Sequence, residues 1–224
     1  MSMRKSLFSS SLMAALLILT IAVQAPAETM RPRVDNFIFF FDHSGSMVLT
    51  SPDWSGLKLK MAKELAVKMN AAIPELEYVS GVNTFAPFNT QLAPARHNRA
   101  AVAAAIKGID AGYDPSGRST AMGFGLDKID PVLARMSGTI ALIVFTDGNS
   151  NLGNDPVAEA KMLYAKYPGR LCIHIVSYAD KQHGKDVVAQ VRALNPCSAV
   201  GEPSALGSDI GLKKFIRSVL RLNP

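Results

Sequence analysis

The sequence predicts an α/β domain: a doubly wound, mostly parallel central sheet with helices on both faces and one short antiparallel edge strand. Three observations lead there. Apolar runs at 34–41, 139–145 and 171–178 lack the polar alternation of a strand with one wet face, so each reads as a strand buried on both sides. Between them lie segments with apolar residues at helical spacing, the connections that parallel strands require. The 224 residues, 48% hydrophobic and 19% charged, suit one globular domain and exclude disorder and collagen.

The first strand, 34–41, carries Phe37-Ile38-Phe39-Phe40-Phe41 and runs into the turn-prone Asp42-His43-Ser44-Gly45-Ser46. Over 57–72, Leu57, Met61, Leu65, Met69 and Ile73, with Ala62 and Ala66 beside them, recur at helical spacing. Lys58, Lys60, Lys63, Glu64 and Lys68 are assigned to the opposite side of that helix, and Pro74 ends it. Segments 78–85 and 89–92 read as a strand pair around Ala86-Pro87, and 98–107 as an Ala-rich helix. Residues 112–119 hold too many Gly, Pro, Ser and Asp for regular structure. A helix resumes over 121–136, where Pro131 is expected to kink or divide it. After the strand at 139–145 comes a helix over 156–167, with Asp155 as cap and Pro156 in its first turn. The strand at 171–178, a helix over 186–194, a brief strand at 198–200 and a helix over 209–220 complete the order.

The amino terminus reads as an export signal. Arg4 and Lys5 precede an apolar stretch, 12–23, and Ala25-Pro26-Ala27 offers small residues at the two positions a signal peptidase reads, so cleavage is expected after Ala27. That makes 1–27 a signal peptide and 28–224 the domain. The stretch is shorter than the roughly 18 residues of a membrane span, so no stable span is expected in the mature form. Periplasmic or secreted localisation follows. The net charge of +6 includes Arg4 and Lys5, and the remaining basic residues are scattered among acids, which argues against nucleic acid as a partner. In an oxidising compartment the two cysteines, Cys172 and Cys197, are either a disulfide or a pair of buried thiols packing as small apolar groups. A bridge between them would stabilise the fold by roughly 3 kcal/mol.

In an open α/β sheet ligands bind beyond the carboxyl ends of the strands, where strand order reverses. The residues with chemistry gather at such ends. The first strand ends in Asp42, with hydroxyls two and four residues on at Ser44 and Ser46; the strand at 139–145 ends in Thr146-Asp147-Gly148; and the turn-rich loop delivers Thr120 to the start of a helix. Two carboxylates and three hydroxyls, with water, form a ligand set suited to Mg²⁺, and the same set admits Mn²⁺ or Ca²⁺.

These residues resemble the von Willebrand factor type A domain family and its metal-ion-dependent adhesion site. The family pattern is Asp-x-Ser-x-Ser after the first strand, a Thr in a later loop, and an Asp, often within Thr-Asp-Gly, after a central strand. Asp42, Ser44, Ser46, Thr120 and Asp147 match it in order, and the resemblance spans essentially the whole mature chain. It implies that Ser44, Ser46 and, in one state, Thr120 bind the metal directly, while Asp42 and Asp147 act largely through bound waters. It also implies an open coordination position taken by an Asp or Glu carboxylate of a protein partner. Neutral hydroxyls nearest the cation leave it electrophilic toward such an anion. A one-residue slip would exchange Thr120 for Ser119.

Other residues carry weaker readings. His43 alternates away from the two ligands that flank it and is read as packing or as rim of the ligand site, and Trp54 as a loop-packing residue or a rim anchor. His174 shares a strand face with Cys172, but no further ligands at zinc spacing accompany it. Ser55-Gly56-Leu57-Lys58 has the Ser-x-x-Lys form of penicillin-recognising enzymes without the companion elements, and Gly123-Phe124-Gly125 lacks the rest of a dinucleotide fingerprint. The sequence therefore favours a metal-dependent binding module that is not an enzyme. A phosphoesterase-like metal-dependent hydrolase with His43 as its base, and a metal-independent scaffold of the cell envelope, are the competing readings.

Overall fold

Seven consecutive buried residues place strand β1 (Asn36–Asp42) at the centre of the sheet in the computed structural model, which describes residues 34–49, 56–112, 122–150, 153–220 and 222. The other strands are β2 (Val79–Phe85), β3 (Asn89–Arg96), β4 (Ile140–Thr146), β5 (Leu171–Ser177) and β6 (Val200–Gly201). They form one six-stranded sheet in the order β3-β2-β1-β4-β5-β6. All neighbours are parallel except β2 and β3, which are antiparallel. The chain leaves β1 for β2 on one side and returns to β4 on the other, so strand order reverses between β1 and β4.

Alternation along β1 divides the core. Phe37, Phe39 and Phe41 face the helices α1 (Lys58–Ala72), α2 (Arg99–Gly108) and α7 (Asp209–Leu220), while Ile38 and Phe40 face α3 (Met122–Ala134), α4 (Pro156–Lys166) and α5 (Gln182–Ala193). Phe41 and Phe145 stack with centroids 4.6 Å apart and planes 9° from parallel. Both faces are thus covered, which is why β1 and β4 need no polar alternation.

The elements differ from the sequence reading in instructive places. Helix α3 runs through Pro131 without dividing, because Pro131 and Asp127, whose carbonyl the proline deprives of a donor, both lie on its exposed face. Strand β3 extends to Arg96 despite Pro94, since it is an edge strand paired on one side only and its register with β2 is interrupted by bulges. Helix α5 begins at Gln182 and includes Gly184, a residue that would ordinarily argue against helix. A 3-10 turn (Gly45–Val48) and a one-turn helix α6 (Pro203–Leu206) were not expected from the sequence. Asn98 and Asp155 cap α2 and α4, their side chains accepting from Ala101 N at 2.9 Å and Val157 N at 3.0 Å.

Cys172, in β5, is joined to Cys197, after α5, across a Cα separation of 5.8 Å, which settles the thiol alternatives in favour of a bridge. His174 is buried in β5 with Nδ1 accepting from Ala199 N at 3.2 Å, a core role. The expected signal peptide, Ser55, Trp54, Ser119 and Thr120 lie outside the described residues. No described helix is long and apolar enough to cross a membrane.

Candidate metal-binding rim

Two adjacent parallel strands deliver the acidic residues to the same rim. Asp42 closes β1 and Asp147 follows β4, and the strand register sets Phe41 beside Phe145, so the two carboxylates emerge side by side at the reversal of strand order. Both are fully buried, as is Ser44.

Every oxygen of the pair is held. Asp42 Oδ1 accepts from the Ser44 backbone N at 3.0 Å, the geometry of an Asx turn, and Oδ2 accepts from the Thr146 hydroxyl at 2.6 Å. Thr146 Oγ1 in turn accepts from Gly148 N at 3.0 Å, tying the two strand ends together. The Ser44 and Ser46 hydroxyls are 3.1 Å apart, and Ser46 donates to Asp147 Oδ1 at 3.2 Å, where Asn149 N also donates at 3.1 Å. Asp42, Ser44, Ser46 and Asp147, separated by a hundred positions in sequence, therefore form one connected cluster. Thr120 is not among the described residues, so its place relative to the cluster is not part of this geometry.

The loop after β4 is fixed by two glycines. Gly148 has φ +68°, and a Cβ there would meet Gly184 O at 2.4 Å; a Cβ on Gly184 would lie 2.2 Å from the Asp147 carbonyl O. The first turn of α5 thus presses on the Asp147 backbone with no room for a side chain. His183 adds a contact at 3.1 Å between its Nε2 and Ser150 O. His43 places its ring Nε2 2.5 Å from Asp110 O, in the segment after α2.

A lysine joins the cluster from the first residue of α1. The sequence reading placed Lys58 on the solvent side; instead it is 2% exposed, with Nζ 3.0 Å from Asp147 Oδ2 and 2.8 Å from Asp180 Oδ2. The signal for this was present, because Lys58 precedes Ala62, Leu65, Ala66 and Met69 in the spacing of the buried face. Asp180, beyond β5, was likewise missed, and no spacing marks it in a single sequence; Thr146 was named only as part of Thr146-Asp147-Gly148, without the role of holding Asp42.

The chemistry of the donors bears on what this rim accepts. Three carboxylates, Asp42, Asp147 and Asp180, stand with the Lys58 ammonium and the Ser44, Ser46 and Thr146 hydroxyls. Burial, and then the neighbouring charge of Asp147, push the Asp42 carboxyl up to about 7, against the lowering effect of its bonds from Ser44 and Thr146. Among the described residues no three His, Cys, Asp or Glu side chains converge as an all-charged metal cage. The donor set is instead carboxylate plus hydroxyl, and these residue types suit a hard divalent cation.

No protein-family model matches the sequence, and no curated relative is found for it. Solved structures do resemble it. The conserved hypothetical protein BatB from Bacteroides thetaiotaomicron superposes with a TM-score of 0.63 at 16% identity, covering 83% of this chain and 97% of that one. A von Willebrand factor type A structure from Catenulispora acidiphila gives 0.56 at 17% identity over 83% of this chain and 43% of that one. Manganese-loaded TRAP protein from Plasmodium vivax gives 0.56 at 14% identity over 84% of this chain and 75% of that one. At such identities the likeness concerns architecture, and the architecture of this chain is that of the von Willebrand factor type A domain.

Proposed function

We propose that the chain is an exported, metal-dependent protein-binding module that docks an acidic residue of a partner. The observation that carries this reading is the connected cluster of Asp42, Ser44, Ser46 and Asp147 at the reversal of strand order. Ser44 and Ser46, with Thr120, would hold Mg²⁺, Mn²⁺ or Ca²⁺ directly, and Asp42 and Asp147 through water; the bound cation would offer an open position to an Asp or Glu carboxylate. That a structure resembling this one, of TRAP protein, is manganese-loaded is consistent with the reading.

The chain's own residues orient and restrain. Thr146 and the Ser44 backbone fix the Asp42 carboxylate, Asn149 fixes Asp147, and Gly148 with Gly184 fixes the loop that carries it. This is a rigid recognition site on a packed scaffold. Residues 1–27 as a signal peptide, and a disulfide between Cys172 and Cys197, support placement outside the cytoplasm, in the periplasm or secreted.

Calorimetric titration of Mg²⁺ and Mn²⁺ into the parent and into Asp42→Asn and Ser44→Ala tests the site. Saturable heat in the parent and its loss in both variants is expected; equal heats would defeat the reading. The docking claim is tested on an array of peptides with and without Asp or Glu, where capture should need both the acidic residue and the cation and should disappear with chelator.

A further inference from the structure

We propose that Lys58 is a tethered cation that occupies the carboxylates of the rim when no metal ion is bound and sets the affinity with which one enters. This rests on the metal-site reading above. Lys58 Nζ lies between Asp147 Oδ2 at 3.0 Å and Asp180 Oδ2 at 2.8 Å, with the three side chains 3%, 0% and 11% exposed. A buried ammonium is costly unless it is paired, and here Asp147 and Asp180 both pair it, so truncating Lys58 would take that partner from two carboxylates of the rim. Through Asp147 it touches the cluster directly, since the other oxygen of that carboxylate accepts from Ser46.

Strand order explains how one residue can serve both states. Asp42 ends β1, and Asp147 and Asp180 follow β4 and β5; the three strands are consecutive in the sheet, so Asp147 stands between the other two. A cation arriving on the Asp42 side competes with Lys58 for Asp147 only. Asp180 then keeps the ammonium paired. Lysine suits this role because its charge sits at the end of a flexible stem and its three donors impose no plane, whereas the fork of an arginine would lock the pair. Lys58 is a positioning residue, acting on the site through Asp147, and Asp180 is the acceptor that retains it.

The test is Mn²⁺ binding to the full chain, read from the electron paramagnetic resonance of free Mn²⁺, together with thermal unfolding with and without the ion. Lys58→Met should bind about tenfold or more tightly than the parent, because a competing positive charge is removed. Its metal-free melting temperature should fall while Mn²⁺ raises it by more than in the parent. Asp180→Asn should bind about threefold or more weakly, since Lys58 then depends on Asp147 alone. A purely structural lysine predicts lower stability in Lys58→Met with the same affinity. Binding by the parent with Lys58→Met unchanged to within about twofold, or weaker, overturns the role of Lys58 and leaves the metal site standing. No binding by parent or variants overturns the metal site itself, and this inference with it. If Lys58→Met does not fold, Lys58→Gln and Asp180→Asn are compared with the parent by the same criteria.

Discussion

Phe41 lies flat against Phe145, one residue before Asp42 and two before Asp147, so a single ring stack packs directly beneath the two strand ends that carry the carboxylates. Offset aromatic pairs contribute about 0.5–1.5 kcal/mol beyond the area they bury. Replacing Phe145 with Ala should therefore cost about 3–5 kcal/mol of stability, as truncation of a fully buried aromatic does, and Phe145→Leu less. Urea unfolding measures this. Mn²⁺ affinity should fall in the same variants even where they remain folded, and unchanged affinity in a folded Phe145→Ala would show that the stack does not position the rim.

Gly184 offers a test with an unusual sign. In most helices Gly→Ala is stabilising by about 0.5–1 kcal/mol. Here the added methyl would meet the Asp147 carbonyl at 2.2 Å, so Gly184→Ala should lower the melting temperature and weaken metal binding together. A stabilised variant would mean that the first turn of α5 gives way without disturbing Asp147.

Removing the bridge between Cys172 and Cys197 should cost roughly 3 kcal/mol in the chain-entropy model, given a sequence separation of 25. Denaturation of the Cys172→Ala/Cys197→Ala variant gives the figure. The parent should show no alkylated cysteine by mass until it is reduced.

Asp130 makes a small pH-dependent contribution to stability. Burial opposes its ionisation, but the Lys166 ammonium at 2.5 Å and the Tyr167 hydroxyl at 2.6 Å outweigh it and hold the carboxyl below its ordinary 3.8. A lowered carboxyl binds fewer protons folded than unfolded at acid pH. Its contribution is complete above the ordinary value and is lost as pH falls through the lowered one. Asp130→Asn should cost on the order of 1 kcal/mol or less at neutral pH, because the partners are partly exposed, and should converge with the parent in strong acid. Parallel stability curves across that range would refute the assignment.

Much of this was legible in the residues. The buried strands announced themselves by continuous apolar runs, and Asp42-His43-Ser44-Gly45-Ser46 and Thr146-Asp147-Gly148 by their position at strand ends. What was hidden depends on tertiary context. Periodicity puts Lys58 on the buried face of α1, but a lysine is assigned to solvent until its partners are known, and Asp147 and Asp180 lie far along the chain. Gly184 reads as a breaker until the backbone it presses against is seen. Pro94 shortens the expected strand at 89–92 because only an edge tolerates it, and edges are a property of the sheet.

The two flanks of the sheet bear on how partners must approach. On one side β3 presents Pro94, which has no amide hydrogen, and its register with β2 is broken. On the other, β6 is two residues long and is followed at once by Glu202-Pro203. Among the described residues, neither border offers an unbroken row of amides and carbonyls to a foreign strand, a feature that disfavours edge-to-edge pairing there. Under the proposed reading, a partner would then meet the side chains at the strand tips rather than the sheet's borders.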